Sequence, residues 1–142
     1  MPDHYIEVSA VSVPRAKREL AERTLLEASE DLGIASRRPP LRWFAEMAPE
    51  DLTLVTSLGE RISDRLTSDV PGATLQGRTF YGEHAIWIRA TQPLEEIAVT
   101  TAHEVAHVAA QRERGYPAVT PSELAREEAF AEGYGLRYRR ER

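Results

Sequence analysis

The chain contains no cysteine in 142 residues. That absence removes disulfide frameworks, thiolate metal sites and cysteine nucleophiles together. Any metal it binds must be held by histidine, aspartate or glutamate. Long apolar runs are missing as well. The densest, Val105-Ala-His-Val-Ala-Ala110, is interrupted by a histidine and falls far short of the roughly 20 apolar residues that span a bilayer. No membrane association is expected. The first residues, Met1-Pro-Asp-His-Tyr-Ile6, have no basic stretch leading into an apolar one, so a secretory signal is not expected and a cytoplasmic location is. Lysine is almost absent: Lys17 stands alone beside seventeen arginines. Positive charge does not dominate, since the formal net charge is −5, and a nucleic-acid partner is not expected. The one basic concentration, Arg137-Tyr-Arg-Arg-Glu-Arg142, suits the negative end of a helix dipole.

What is present is ordinary globular material, 42% hydrophobic and 29% charged. It suffices for one core, and the expectation is a single domain over 1–142. No repeat or long linker divides the chain. Pro14 to Leu32 reads as a helix, with Pro14 at its first position, an apolar stripe through Leu20, Leu25, Ala28 and Leu32, and Gly33 as a stop. Arg37-Arg-Pro-Pro40 breaks the chain before a short strand, Leu41 to Phe44. Leu54, Leu58, Ile62 and Leu66, four apart, suggest a helix over 49–68, which Val70-Pro-Gly72 ends. Two extended segments follow, Ala73 to Phe80 and Ala85 to Arg89, joined through Tyr81-Gly-Glu-His84 as a hairpin. Helical periodicity returns from Pro93 to Arg114, with Gly115 as its stop. The last helix opens with the capping box Thr120-Pro-Ser-Glu123 and runs toward Arg139, weakened by Gly133 and Gly135. This order is α+β and not a regular βαβ alternation.

The chemistry is concentrated in His103-Glu-Val-Ala-His107. Residues four apart on a helix share a face, so both imidazoles can reach one ion. Glu104 is turned about 100° around the axis from His103, which suits it to a metal-bound water instead of the metal. Lewis acid and base are then side by side, as hydrolysis requires. The bland alternative is a chance match, with two polar histidines at the edge of a core.

Spacing downstream argues against chance. A catalytic zinc takes three protein ligands and leaves one position open. From His107 the helix rises about 10.5 Å to Arg114, and an antiparallel return from Pro121 to Glu128 covers about the same distance. Glu128 therefore comes back level with His107. Glu127 is nearly level but rotated by about 100°. Glu128 is preferred as ligand because Leu124, Glu128 and Ala131 share one face, with Glu132 one turn further on. Glu132 would then accept the free ring N–H of a ligating histidine. A solvated acidic helix face is the competing account of Glu127 and Glu128. The metzincin pattern is excluded, because Glu113 stands where its third histidine would be and Ala110 replaces its glycine. Trp43, Phe44 and Trp87 read as core, since no basic residues interleave them.

His103-Glu-Val-Ala-His107 followed by Glu128-Ala-Phe-Ala-Glu132 resembles the gluzincin zinc metallopeptidases in their minimal form. The downstream stretch is similar to segments of the anthrax lethal-factor-like and ImmA/IrrE-type peptidases. The resemblance covers roughly 73–136, within a motif-bearing region of about 73–139. It implies a small zincin-like domain: a short three-stranded sheet packed on an active-site helix, then a C-terminal glutamate helix. It also implies one Zn2+ on His103, His107 and Glu128, with Glu104 as general base and Glu132 behind a ligand. The substrate would be a peptide or protein, aligned along the strand Ala85 to Arg89. One departure is visible. The tyrosine that such enzymes place seven to nine residues before the glutamate ligand is replaced here by Val119, Thr120 and Pro121. Tyr116 is the nearest oxyanion donor, with His84 and Tyr134 as further ones. A lost donor costs about 10²–10³ in rate, so a zinc-bearing regulatory or interaction module without turnover is the alternative. A metal-free adaptor is a third reading.

Overall fold

The computed structural model describes residues 13–44, 71–76, 84–116 and 118–139. The helix expected over 49–68, the link through Tyr81 and Gly82, His4 and the arginines at 140 and 142 lie outside these residues. The architecture mixes helix and strand and is mostly helical. Helix α1 spans Arg15–Asp31, and a 3₁₀ turn spans Ala35–Arg37. The strands are β1 Leu41–Phe44, β2 Gly72–Gln76 and β3 His84–Arg89. Helices α2 Leu94–Arg114 and α3 Pro121–Leu136 complete the order. Among the described residues no helix is long and apolar enough to cross a membrane.

The strands lie in the order β1-β3-β2. β3 is parallel to β1, with Leu41 opposite Ile86, and antiparallel to β2, with Gln76 opposite His84. Successive side chains of a strand face opposite ways, yet Ile86, Trp87 and Ile88 are all essentially inaccessible. β3 is thus covered on both faces. It is also paired on both sides, by β1 and β2, so the strand Ala85 to Arg89 is not the free sheet edge expected to align a peptide. Ile86 packs into a cluster with Ala28 of α1, Ala102, Val105 and Val108 of α2, and Tyr134 of α3. Ile88 joins Ala21, Trp43 and Ile97 in a neighbouring cluster. Burying each of the larger aliphatic side chains among these contributes about 1.5–3 kcal/mol. These clusters fix the inner face of α2 against sheet and helices, which leaves its opposite edge to carry the histidines.

Helix ends follow their local chemistry. Pro14 is the N-cap of α1, one position earlier than its expected place inside the helix. α2 has Glu95 and Glu96 in its first turn and Arg112 and Arg114 in its last, each favourable to the dipole. It ends at Gly115, whose φ of 90° requires glycine. α3 stops at Leu136, short of Arg139; Arg137 is its C-cap, and its guanidinium lies over the Tyr134 ring.

At the start of α3 the capping box forms in full: Glu123 N–H donates to Thr120 Oγ1, and Thr120 N–H donates to Glu123 Oε1. Val119 N–H and Tyr116 O–H donate to the same carboxylate. Hydrogen bonds led by that of Val119, then Tyr116 and Thr120, hold the Glu123 carboxyl down at about 2. A depressed folded-state pKa means stabilisation that is present above the ordinary carboxylate range and lost as pH falls through about 2. The Glu123 carboxyl carbon, followed by NMR, should therefore stay in its ionised position at about pH 3. Half-titration between pH 4 and 5 would contradict the arrangement.

Candidate metal centre

α2 and α3 run antiparallel. Arg114 meets Glu127 at the loop end of the pair, and Glu96 meets Arg139 at the other. The short connection sets this geometry, since seven residues of helix lead from His107 to the end of α2 and seven from the start of α3 to Glu128. His103 and His107 lie one turn apart, half-buried, with ring centroids 4.9 Å apart. Their Nε2 atoms are 3.2 Å from each other. Glu128 closes the triangle, with Oε1 3.0 Å from His103 Nε2 and Oε2 3.3 Å from His107 Nε2.

A tetrahedral ion with bonds of about 2.05 Å separates its donors by about 3.3 Å. The separation of the two Nε2 atoms matches that spacing, and each has one Glu128 oxygen at a comparable distance. The protonation pattern fits as well. His107 Nδ1 lies 2.6 Å from Glu127 Oε2, a contact in which Nδ1–H donates to the carboxylate. In that tautomer the lone pair is on Nε2, the atom beside the other ring and the Glu128 carboxylate, and such a group has the donors a cation needs. His103, His107 and Glu128 form a group that could hold a metal ion.

Glu127 corrects the expectation made for Glu132. Glu132 is exposed, and its carboxylate makes no hydrogen bond or ion pair with the described residues. Glu127 instead backs His107 and is itself held by Gln111 Nε2 at 3.0 Å and Arg114 Nη2 at 2.5 Å. The reason is the rotation of α3. Its buried stripe runs Glu127, Ala131, Tyr134 and Gly135, whereas Leu124 is exposed. Glu127 is thereby turned into the seam, its side chain 6% exposed, and Glu128 onto its rim at 59%. Burial opposes ionisation of Glu127, but the hydrogen bonds from Gln111, Arg114 and His107 outweigh it and hold the carboxyl below its ordinary value. A signal for this support was present in the sequence. Gln111 and Arg114 lie four and seven residues beyond His107, on its face of the helix.

The histidines and Glu128 border a cleft of about 790 Å³ that Gly72, Arg89 and Thr100 also line. Glu104 lines the same cleft from α2, 6% exposed. The cleft therefore brings together His103, His107, Glu128 and Glu104, and leaves Tyr116 and Tyr134 elsewhere. Tyr116 is 48% exposed and donates its hydroxyl to Glu123 Oε2 at 2.8 Å. That hydrogen bond raises its pKa. Tyr116 follows the capping box because it sits in the loop directly over Glu123, a turn away from the cleft. Tyr134 is buried on the α1 side, where its hydroxyl donates to Asp31 Oδ2 at 2.9 Å. Burial, reinforced by its contacts with Tyr138 and Asp31, pushes its pKa up. His84 is the first residue of β3. No protein-family model, curated protein or solved structure matches the chain.

Proposed function

We propose that this chain is a zinc-dependent metallopeptidase of gluzincin type, built on a minimal zincin-like domain. The observation that carries the reading is the donor triangle of His103, His107 and Glu128 opening onto the same cleft as Glu104. With no thiolate available and two imidazoles plus one carboxylate as donors, zinc is the ion the set suits best. Zinc, when bound, supplies a Lewis acid that polarises the scissile carbonyl and acidifies a water molecule. The chain's residues do the rest. His103, His107 and Glu128 would hold the ion, and all three line the cleft. Glu127 orients the His107 ring and fixes its proton on Nδ1. Glu104 takes the proton from the attacking water and delivers it to the leaving amine. A peptide is the substrate class, since the cleft runs from the donor triangle to the start of β2, an edge strand among the described residues, and an extended chain can add to such an edge.

The test is direct. Elemental analysis of dialysed protein should find about one zinc per chain, as a single tetrahedral site requires. Glu128→Ala should weaken zinc binding by more than the about 10–100-fold that loss of an outer partner costs. Digestion of a peptide library by the zinc-loaded chain should yield new amino termini that chelation abolishes. A second reading, a zinc-bearing regulatory module without turnover, is favoured by one observation: Tyr116 turns to Glu123 and not to the cleft. Stoichiometric zinc without cleavage would select it. Protein with no zinc, and a melting temperature unmoved by adding it, would remove both.

A further inference from the structure

Gly72 and Gly135 make close approaches to α2 on either side of the turn that carries His103 and Glu104. Gly135 lies in the last turn of α3, one residue before its end at Leu136, and is buried against α2. A methyl group added there would stand 2.9 Å from the Val99 carbonyl oxygen, 3.1 Å from His103 Cβ and 3.4 Å from His103 Cα. Two of these are backbone atoms of a packed helix, which do not swing aside as a side-chain tip does. Gly133, two residues earlier, would meet nothing within 4 Å. At Gly72 an added methyl would stand 2.7 Å from Thr100 Cγ2, 2.9 Å from the Trp87 carbonyl oxygen and 3.4 Å from Glu104 Cγ. Thr100 cannot rotate away freely, because its hydroxyl donates to Gln92 Oε1 at 2.7 Å. Gln92 in turn donates to the carbonyl oxygens of Pro71 and Arg89, both at 2.9 Å. The start of β2, the end of β3 and the first half of α2 are thus tied around Gly72.

We infer that these glycines are positioning residues with separable roles: Gly135 sets His103 for the metal, and Gly72 sets Glu104 for proton transfer. The Gly72 role rests on the metallopeptidase reading, whereas the Gly135 role needs only a bound metal. Sites of this kind tolerate displacements of about 0.5 Å. An alanine at 135 presses on His103 itself, whereas one at 72 presses on Thr100 and the Trp87 carbonyl and meets Glu104 only at ordinary contact distance, so it acts on Glu104 through the turn of α2 that Thr100 begins.

Parent, Gly133→Ala, Gly135→Ala and Gly72→Ala are compared for zinc affinity by competition with a chromophoric chelator, and for peptide hydrolysis at saturating zinc. Gly135→Ala should bind zinc at least about 10-fold more weakly and change the visible spectrum of the Co2+ form. Gly133→Ala should match the parent in both. Gly72→Ala should keep the parent's zinc affinity and Co2+ spectrum, with kcat lowered by about 10–100-fold at unchanged KM. A merely structural role would lower stability and both readouts together. In a His103→Ala background the Gly135→Ala loss of affinity should vanish. If Gly135→Ala is unfolded without metal, the zinc concentration at which circular dichroism recovers supplies the affinity; failure to fold at any zinc concentration overturns the assignment. Parent affinity in Gly135→Ala, or zinc loss in Gly72→Ala, overturns it too. A parent that binds zinc but cleaves nothing would remove the metallopeptidase reading and the Gly72 role with it, while the Gly135 role would still be decided by affinity alone.

Discussion

Glu104→Gln should hold as much zinc as the parent and lose peptide hydrolysis by about 10²–10⁴-fold, the range that general acid–base catalysis contributes. The substitution preserves the size and shape of a side chain that lines the cleft at 6% exposure, so packing of α2 against β2 is retained. What changes is proton affinity. An amide cannot take a proton from the attacking water, nor hand one to the leaving amine. Because both transfers belong to the transition state, kcat and kcat/KM should fall together while KM holds. Elemental analysis on the same preparation separates this loss from metal loss. Equal cleavage by Glu104→Gln and the parent would remove Glu104 from the chemistry and the metallopeptidase reading with it.

The triangle of His103, His107 and Glu128 could be read from sequence because it depends on translation along helices. A fixed rise per residue, a four-residue histidine spacing and a short connection set the heights of the donors before any packing is considered. Rotation about the helix axis was not legible in the same way. The stripes Leu124-Glu128-Ala131 and Glu127-Ala131-Tyr134 share Ala131, and each puts one of two adjacent carboxylates inward. The choice is made by long-range contacts: the Tyr134 hydroxyl reaching Asp31 of α1, and Gly135 allowing α3 onto the backbone of α2. The glycine that reads in the sequence as weakening α3 is what lets the helix pack there. The partner of Tyr116 is set by local contacts instead. A loop tyrosine takes the nearest strong acceptor, and the capping glutamate lies closer than the cleft.

The rotation of α3 also carries the second large effect. Glu127→Gln should weaken zinc binding by about 10–100-fold, the usual cost of removing a carboxylate behind a ligating histidine, and Glu132→Ala should leave it unchanged. The contact at stake is the 2.6 Å one between His107 Nδ1 and Glu127 Oε2. It fixes the imidazole tautomer and makes the Nε2 lone pair more basic toward a cation. A glutamine can keep a neutral hydrogen bond, but it gives up the charge that Arg114 and Gln111 gather around that position. Arg114→Ala should reproduce part of the loss at a distance from the ion. It frees Glu127 to turn and also removes the guanidinium that donates to the Tyr116 carbonyl at the start of the α2–α3 connection. Competition titrations of the three variants against one chelator place them on a common scale. If Glu132→Ala weakens zinc and Glu127→Gln does not, α3 sits about one residue's rotation from the position described, and Glu132 returns as the partner behind the ligands.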